Sequence, residues 1–280
     1  MELSIPLALT AAVCYGSSDF LGGLLSRRAH YAHVGVVMQG AAALAIMLMV
    51  LVRREAAPDL VSLLWGAVAG VGGAVGTLAL YRGLAAGTMN IAAPLSAVGA
   101  AGLPVIVDVT LGERLSTSAM IGVLLALPGV WLVSRSAEAP GTRRSRRVGV
   151  GVLDGLLAGT GFATLFIGLD LAGDQHGLWP VASSQVISFV LLVAYAVALR
   201  PGPPRVSGWA VVPGLLAVTA VVLFTVASQL GSLTLAAVIT SLYPAVTILL
   251  ARLVLREQSI PSHLIGMALC AACVVAFALG

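Results

Sequence analysis

Charge is what this sequence has least of. Only 9% of its 280 residues are Asp, Glu, Lys or Arg, where a soluble domain carries about 25%. Lysine is absent, so all 15 basic residues are arginines. With 59% hydrophobic residues and a mean hydropathy of +1.05, too few polar side chains remain to cover a surface facing water. That excludes a soluble globular enzyme, a disordered chain and a nucleic-acid-binding domain. The pI of 9.3 does not change this: a net charge of +4 on an apolar chain is not a basic patch. Catalytic and cofactor signatures are missing too. There is no Walker A loop to hold ATP and no His-Glu-x-x-His for zinc. No histidine sits deep in a span to partner a serine, and Asp154 follows Gly-Val-Leu, not the Gly-x-Gly of aspartyl intramembrane proteases. Of three cysteines, Cys270 and Cys273 have zinc-like spacing but no second ligand pair. A non-enzyme is therefore expected, with no cofactor, no metal and no nucleic-acid partner.

What the chain does have is long apolar runs. A helix needs roughly 20 apolar residues to cross about 30 Å of hydrocarbon, and ten such runs fit: about 3–25, 34–52, 60–81, 91–111, 118–134, 148–170, 179–199, 209–229, 234–254 and 262–279. A β-barrel would alternate over segments of about ten residues, so the spans are helical. The first has Glu2 in place of a basic leader and no small-x-small cleavage site, which reads as a retained helix. Trp65, Trp131, Trp179 and Trp209 fall near span ends, as interfacial anchors do. The longest polar break, Ser134–Arg147, holds five arginines, a proline and a glycine. It divides a first half (1–135) from a second (148–280), with 136–147 as the linker.

The halves resemble each other. At a shift of 144 residues, Ile91-Ala92-Ala93 falls on Leu235-Ala236-Ala237, Gly87 on Gly231, Glu113 on Glu257 and Ile121-Gly122 on Ile265-Gly266. At 145 to 146, Gly16 falls on Gly161, Gly23 on Gly168, Gln39 on Gln185 and Arg54 on Arg200. Five spans per half is odd, so the second half must enter the bilayer upside down relative to the first. The expected fold is all-α and integral to the membrane, ten helices in a 5+5 inverted repeat. That is a common ground plan of secondary transporters, with the site near the midplane.

Three stretches carry a family resemblance. Tyr15-Gly16-Ser17-Ser18-Asp19-Phe20 resembles the first-helix signature of the drug/metabolite transporter superfamily. Leu111-Gly112-Glu113-Arg114-Leu115-Ser116 is similar to the motif that closes the fourth helix of its EamA repeat. Tyr243-Pro244 through Arg256-Glu257 looks like the degenerate second copy. Tyr15 stands where tryptophan is commoner, and Ala100 is the prolineless counterpart of Pro244. The resemblance implies a ten-helix transporter of small organic solutes. Its small multidrug relatives use a first-helix acid to couple protons.

Asp19 is the leading candidate for that role. Within an apolar span an ionised carboxylate costs at least about 2.5–3.5 kcal/mol on insertion scales, so it must be neutral, paired or facing a wet cavity. Tyr15, Ser18, Asp19, Gly22 and Gly23 share one helix face. The alternative is a structural Asp, paired with Arg82 or hydrogen-bonded to backbone. Tyr15, Ser18, Gln39, Tyr81, Asn90, Ser96, Thr164, Gln185, Ser228, Thr240 and Tyr243 are candidate substrate contacts. Singly, each reads as an interhelical hydrogen bond. Glu113, Arg114 and Glu257 read as interfacial charges that fix helix exits, and Asp108 as an ion partner of Arg252. Arg82 reads as a snorkelling interfacial residue more readily than as a substrate clamp, and Asp154 stays open. Glycines at Gly66/Gly70, Gly72/Gly76 and Gly151/Gly155/Gly159 form small-x3-small ridges for close helix packing.

The expected function is a secondary active transporter, an exporter of a small metabolite or drug by alternating access, coupled to protons. A lipid flippase is the alternative and an intramembrane enzyme the lesser one. Partners are the bilayer, the solute and protons, and a monomer or a homodimer both fit. All arginines but Arg53, Arg54 and Arg114 fall on the side of the central linker. The positive-inside rule puts that side in the cytoplasm of a bacterial plasma membrane, with both termini outside. The resemblance implies termini inside.

Overall fold

The computed structural model describes residues 3–56, 58–86, 89–112, 115–133, 144–175, 177–200, 202, 206–255 and 261–278. They fold into helices alone: α1 (Ser4–Ser26), α2 (Tyr31–Arg53), α3 (Leu60–Ala85), α4 (Met89–Thr110), α5 (Thr117–Val133), α6 (Arg144–Leu171), α7 (Trp179–Leu199), α8 (Val211–Leu230), α9 (Leu233–Thr240), α10 (Tyr243–Leu255) and α11 (Pro261–Ala278). Among the described residues six helices are long and apolar enough to cross a bilayer: α1, α2, α3, α7, the Gly149–Leu171 part of α6, and Gly208–Leu230, which adds a 3-10 turn to the start of α8. Large apolar side chains point outward, among them Leu48, Leu51, Val52, Leu64, Val68 and Leu124. In a membrane protein that outer surface faces lipid.

Polar side chains mark where several helices begin. His30 Nδ1 accepts from the Ala32 N–H at 3.3 Å, Asp59 Oδ1 from Ser62 N–H at 2.8 Å, and Ser232 Oγ from Leu235 N–H at 3.1 Å. Each satisfies a backbone donor that the first helical turn leaves without a partner. Two helices end alike. Arg54 closes α2 with φ 51° and Arg200 closes α7 with φ 47°, both left-handed caps of the kind glycine usually supplies.

The expected ninth span, 234–254, is not one helix. It breaks at Ser241–Leu242 into α9 and α10. The cause is Pro244, which has no N–H to continue the ladder; Leu242 N–H turns to Ile239 O at 3.1 Å instead. The corresponding stretch of α4 is unbroken, and there Ala100 stands in place of the proline. The sixth span is also longer than its apolar run, because α6 extends back to Arg144.

The helices pack mainly across the two halves. α1 lies on α8 as α3 lies on α6, and α4 lies on α6 as α1 lies on α9; α2 meets α7 and α5 meets α11. Lipid offers no hydrophobic drive between helices, so close approach of small residues has to supply the cohesion. The glycine ridges do this. A Cβ on Gly66 would sit 2.6 Å from Pro180 O, on Gly70 2.6 Å from Ser184 O, and on Gly72 2.5 Å from Gly161 O. On Gly155 it would sit 2.6 Å from Leu95 Cβ. The backbones touch directly, which fixes α3 against α6 and α7, and α6 against α4.

Candidate functional site

One cavity lies among α1, α2, α3, α6, α8 and α10. Tyr15, Ser18 and Asp19 enter from α1, Met38 and Gln39 from α2, and Thr77, Leu80 and Tyr81 from α3. Phe162 and Phe166 come from α6, Ala217 from α8 and Tyr243 from α10. It encloses about 50 Å³, room for water and well short of the roughly 300–1,000 Å³ of a formed small-molecule site.

Glycines on α1 set its width. A Cβ on Gly16 would lie 2.5 Å from Tyr243 O and one on Gly22 2.5 Å from Tyr81 Oη, so both tyrosines close in on the first helix. Tyr15 sits between rings, 6.3 Å from Phe166 and 6.4 Å from Tyr243 between centroids. Its buried hydroxyl has no partner among the described residues. Tyr243 Oη lies 2.7 Å from Ser96 Oγ, and Tyr81 Oη donates to Met38 Sδ at 3.5 Å. Ser18 Oγ donates to Pro213 O at 2.8 Å, tying α1 to α8. Gln39 Nε2 donates to Gln185 Oε1, so two residues that hold the same place in the two halves touch each other.

Asp19 is half-buried on the cavity wall and makes no hydrogen bond or ion pair among the described residues. The arginine offered as its structural partner is taken. Arg82 Nε donates to Asp154 Oδ1 at 2.8 Å, and Nη2 bonds the same oxygen. Asp154 is fully buried while the Arg82 side chain stays 42% exposed. An Arg82 free to clamp a substrate does not fit this geometry, and Asp154, left open by the sequence, is its partner. Close by, Tyr31 Oη and Tyr195 Oη are 2.9 Å apart. Both pairs bridge the halves, α3 to α6 and α2 to α7, on the linker side of the cavity. Asp108 Oδ2 accepts from Thr234 N–H at 2.7 Å and caps α9; the side chain of Arg252, its expected ion partner, lies outside the described residues.

The candidate contacts thus divide. Tyr15, Ser18, Gln39, Tyr81 and Tyr243 line the cavity, with Gln185 and Ser96 one hydrogen bond behind. Thr164 lies instead at the α3–α6 crossing, its Cβ 2.7 Å from where a Gly72 Cβ would be. Ser228 bonds Thr225 O within α8, and Thr240 donates to Ala8 O at 3.5 Å. The Asn90 side chain, Glu113, Arg114 and Glu257 lie outside the described residues. Sequence reasoning passed over Met38, Thr77, Leu80, Phe162, Phe166 and Ala217. A signal existed for Phe166, which is Phe20 of the first-helix signature moved on by 146 residues, and for Thr77, one turn before Tyr81.

Two matches to a family model, the EamA-like transporter family, span residues 3–135 and 149–279. An uncharacterized protein of Methanocaldococcus jannaschii, MJ1333.1, is 28% identical over 136 residues. The match covers 99% of that protein and 49% of this chain, so the relative is as long as one half. A solved protein structure superposes on 99% of this chain and 96% of its own, with a TM-score of 0.76 at 17% identity. At that identity the likeness speaks for the fold.

Proposed function

This chain belongs to the EamA-like transporter family, and on that premise we propose that it is a secondary active transporter exchanging a small organic solute for protons. Export by alternating access is the direction we assign. The observation that carries the reading is Asp19, the one acid on the cavity wall, unpaired among the described residues. A carboxyl at membrane depth must be protonated or compensated by a cation. A group with that choice, placed where solute would sit, can link the two.

The architecture we propose for it is ten spans, α9 and α10 together making the ninth, in two inverted halves joined by 136–147. The Gln39–Gln185 contact supports a two-fold relation, since equivalent residues meet only on an axis, and this axis skirts the cavity. The reciprocal packing of α1 on α8 and α3 on α6 supports it as well. A broken helix beside the cavity is the usual way such proteins present backbone near the midplane, and Tyr243 opens the second piece. Arg82–Asp154 and Tyr31–Tyr195 then act as latches that release when the linker side opens. That side we place in the bacterial cytoplasm, from the arginine bias.

The test is flux in proteoliposomes under an imposed pH gradient. Gradient-driven solute movement that Asp19→Asn abolishes is the expected result; flux indifferent to both gradient and substitution refutes the coupling role. For orientation, Gly141→Cys in intact cells should resist an impermeant thiol reagent, and labelling there reverses the assignment.

A further inference from the structure

The structure assigns closure of the side opposite the linker to two first-half carboxylates, Glu55 and Asp108, each capping a helix of the second half. The assignment rests on the alternating-access reading above and deepens it. With about 50 Å³ enclosed, the cavity must widen before a solute enters, and it widens only where helices part. α2 and α7 hold equivalent places in the two halves and pack on each other. Gln39 and Gln185 join them between their ends, the hydroxyls of Tyr31 and Tyr195 at the linker end, and Glu55 at the far end. Glu55 Oε2 accepts from the N–H of Leu178, the residue before α7 begins, at 2.6 Å. The surrounding chain shapes a seat for this carboxylate. Arg54, left-handed at φ 51°, turns the chain at the end of α2, and Arg53 Nε lies 3.2 Å from Glu55 Oε1. Opposite, Gly177 has φ 55°, and a Cβ there would stand 2.5 Å from Oε2.

α4 meets α9 in the same manner. Asp108, near the end of α4 and 4% exposed, accepts from the Thr234 N–H at 2.7 Å. Counting spans back from the linker puts the ends of α2 and α4 and the starts of α7 and α9 on one side, the far one. Both carboxylates meet the first turn of a helix, where free amides and the helix dipole favour negative charge. A hydrogen bond to a charged group is roughly twice as strong as a neutral one. The α2–α7 pair is therefore held more firmly by Glu55 than by its two tyrosines. With Gln39–Gln185 as the pivot, parting α2 from α7 at one end closes them at the other. A solute passes to the far side only after both caps separate.

Distances between paired spin labels test this on the purified full chain in detergent, with Cys14, Cys270 and Cys273 replaced by alanine. Labelled cysteines at Val52 with Gln175 and at Leu111 with Leu230 report the far side, and at Arg28 with Leu199 the linker side; all six positions are exposed. Glu55→Ala and Asp108→Ala should each raise the population at longer far-side distance roughly tenfold, while the linker-side pair draws closer. Glu55→Gln keeps an acceptor without the charge and should do less. Gly177→Ala should act like Glu55→Ala by filling the seat. Ser232→Ala removes a cap that stays within the second half and should change neither side. Reciprocal movement marks a gate, because general loosening widens both sides together. Far-side distances that ignore the two alanine variants, or both sides widening at once, overturn the assignment. If Asp108→Ala does not fold, Glu55→Ala and Gly177→Ala decide it. Reciprocal movement with no flux in proteoliposomes would retire transport and leave the gate standing. Gradient-driven flux with far-side distances blind to the caps would do the reverse.

Discussion

Replacing Gly161 with alanine should weaken the molecule where α3 and α6 cross. A Cβ there would stand 2.5 Å from Gly76 N, 2.6 Å from Gly72 O and 2.8 Å from Gly76 Cα, against the 3.4–4 Å of ordinary contact. Relief needs nearly an ångström of separation, and every obstructing atom is backbone, with no side chain to rotate aside. Overpacking of this kind costs typically 1–3 kcal/mol, and rigid backbone on the far side argues for about 3. Helix propensity returns up to about 1 kcal/mol on Gly→Ala. The net is a loss of about 2 kcal/mol, or roughly 4–8 °C in midpoint at 2–4 °C per kcal/mol. Gly102→Ala is the control: α4 has nothing within 4 Å of that Cβ, so propensity acts alone and the midpoint should rise. Both are read by thermal unfolding of the purified protein in detergent. If Gly161→Ala matches Gly102→Ala, direct backbone contact between α3 and α6 is wrong.

Removing Arg82 leaves the fully buried Asp154 carboxylate uncompensated. Breaking a buried pair costs 3–5 kcal/mol, discounted to about 1–3 because Arg82 is partly exposed. Arg82→Ala should therefore destabilise more than Arg82→Ala/Asp154→Asn, a sign that a double-mutant cycle measures. Arg54→Gly and Arg200→Gly should each stabilise by about 1 kcal/mol, because a left-handed residue other than glycine is strained by that order; chemical unfolding reads it. Burial first, then the charge of His33, holds His30 below its ordinary value of 6.5. The imidazole caps α2 in its neutral form. The unfolded chain thus binds the proton more readily, and the cap's contribution is complete above 6.5 and lost as pH falls through the lower folded value. His30→Asn keeps a capping acceptor without titrating, so its unfolding midpoint should fall less between pH 7 and 5 than that of the unsubstituted protein.

Much of this was legible before any coordinates. Runs of apolar residues located the helices, since the bilayer sets their length. The internal repeat paired Gln39 with Gln185 before the two were seen to touch. Hydropathy could not find the break between α9 and α10, because Ser241 and Leu242 interrupt neither apolarity nor length; only Pro244 hinted at it. Nor could it join Arg82 to Asp154, which lie in different halves and were weighed span by span. For Asp108 only an oppositely charged side chain was considered, and its bond to the backbone N–H of Thr234 at the start of α9 leaves no trace in hydropathy. Where almost every residue is apolar, sequence says which segments are inside the membrane but little about which face meets a neighbour. Phe162 was passed over for that reason, and Phe166 although its counterpart Phe20 marked it.

Because α1 packs on α8 and α5 on α11, while successive helices of the first half touch only lightly, that half leaves the ribosome before its main neighbours exist. Synthesis at about 5–20 residues per second separates the end of α1 from the end of α8 by roughly 10–40 s. Through that interval Asp19 and Gln39 must be sheltered by lipid headgroups or the insertion machinery. Neither half should then persist alone, and two half-length chains made together should find each other and restore what one gene encodes.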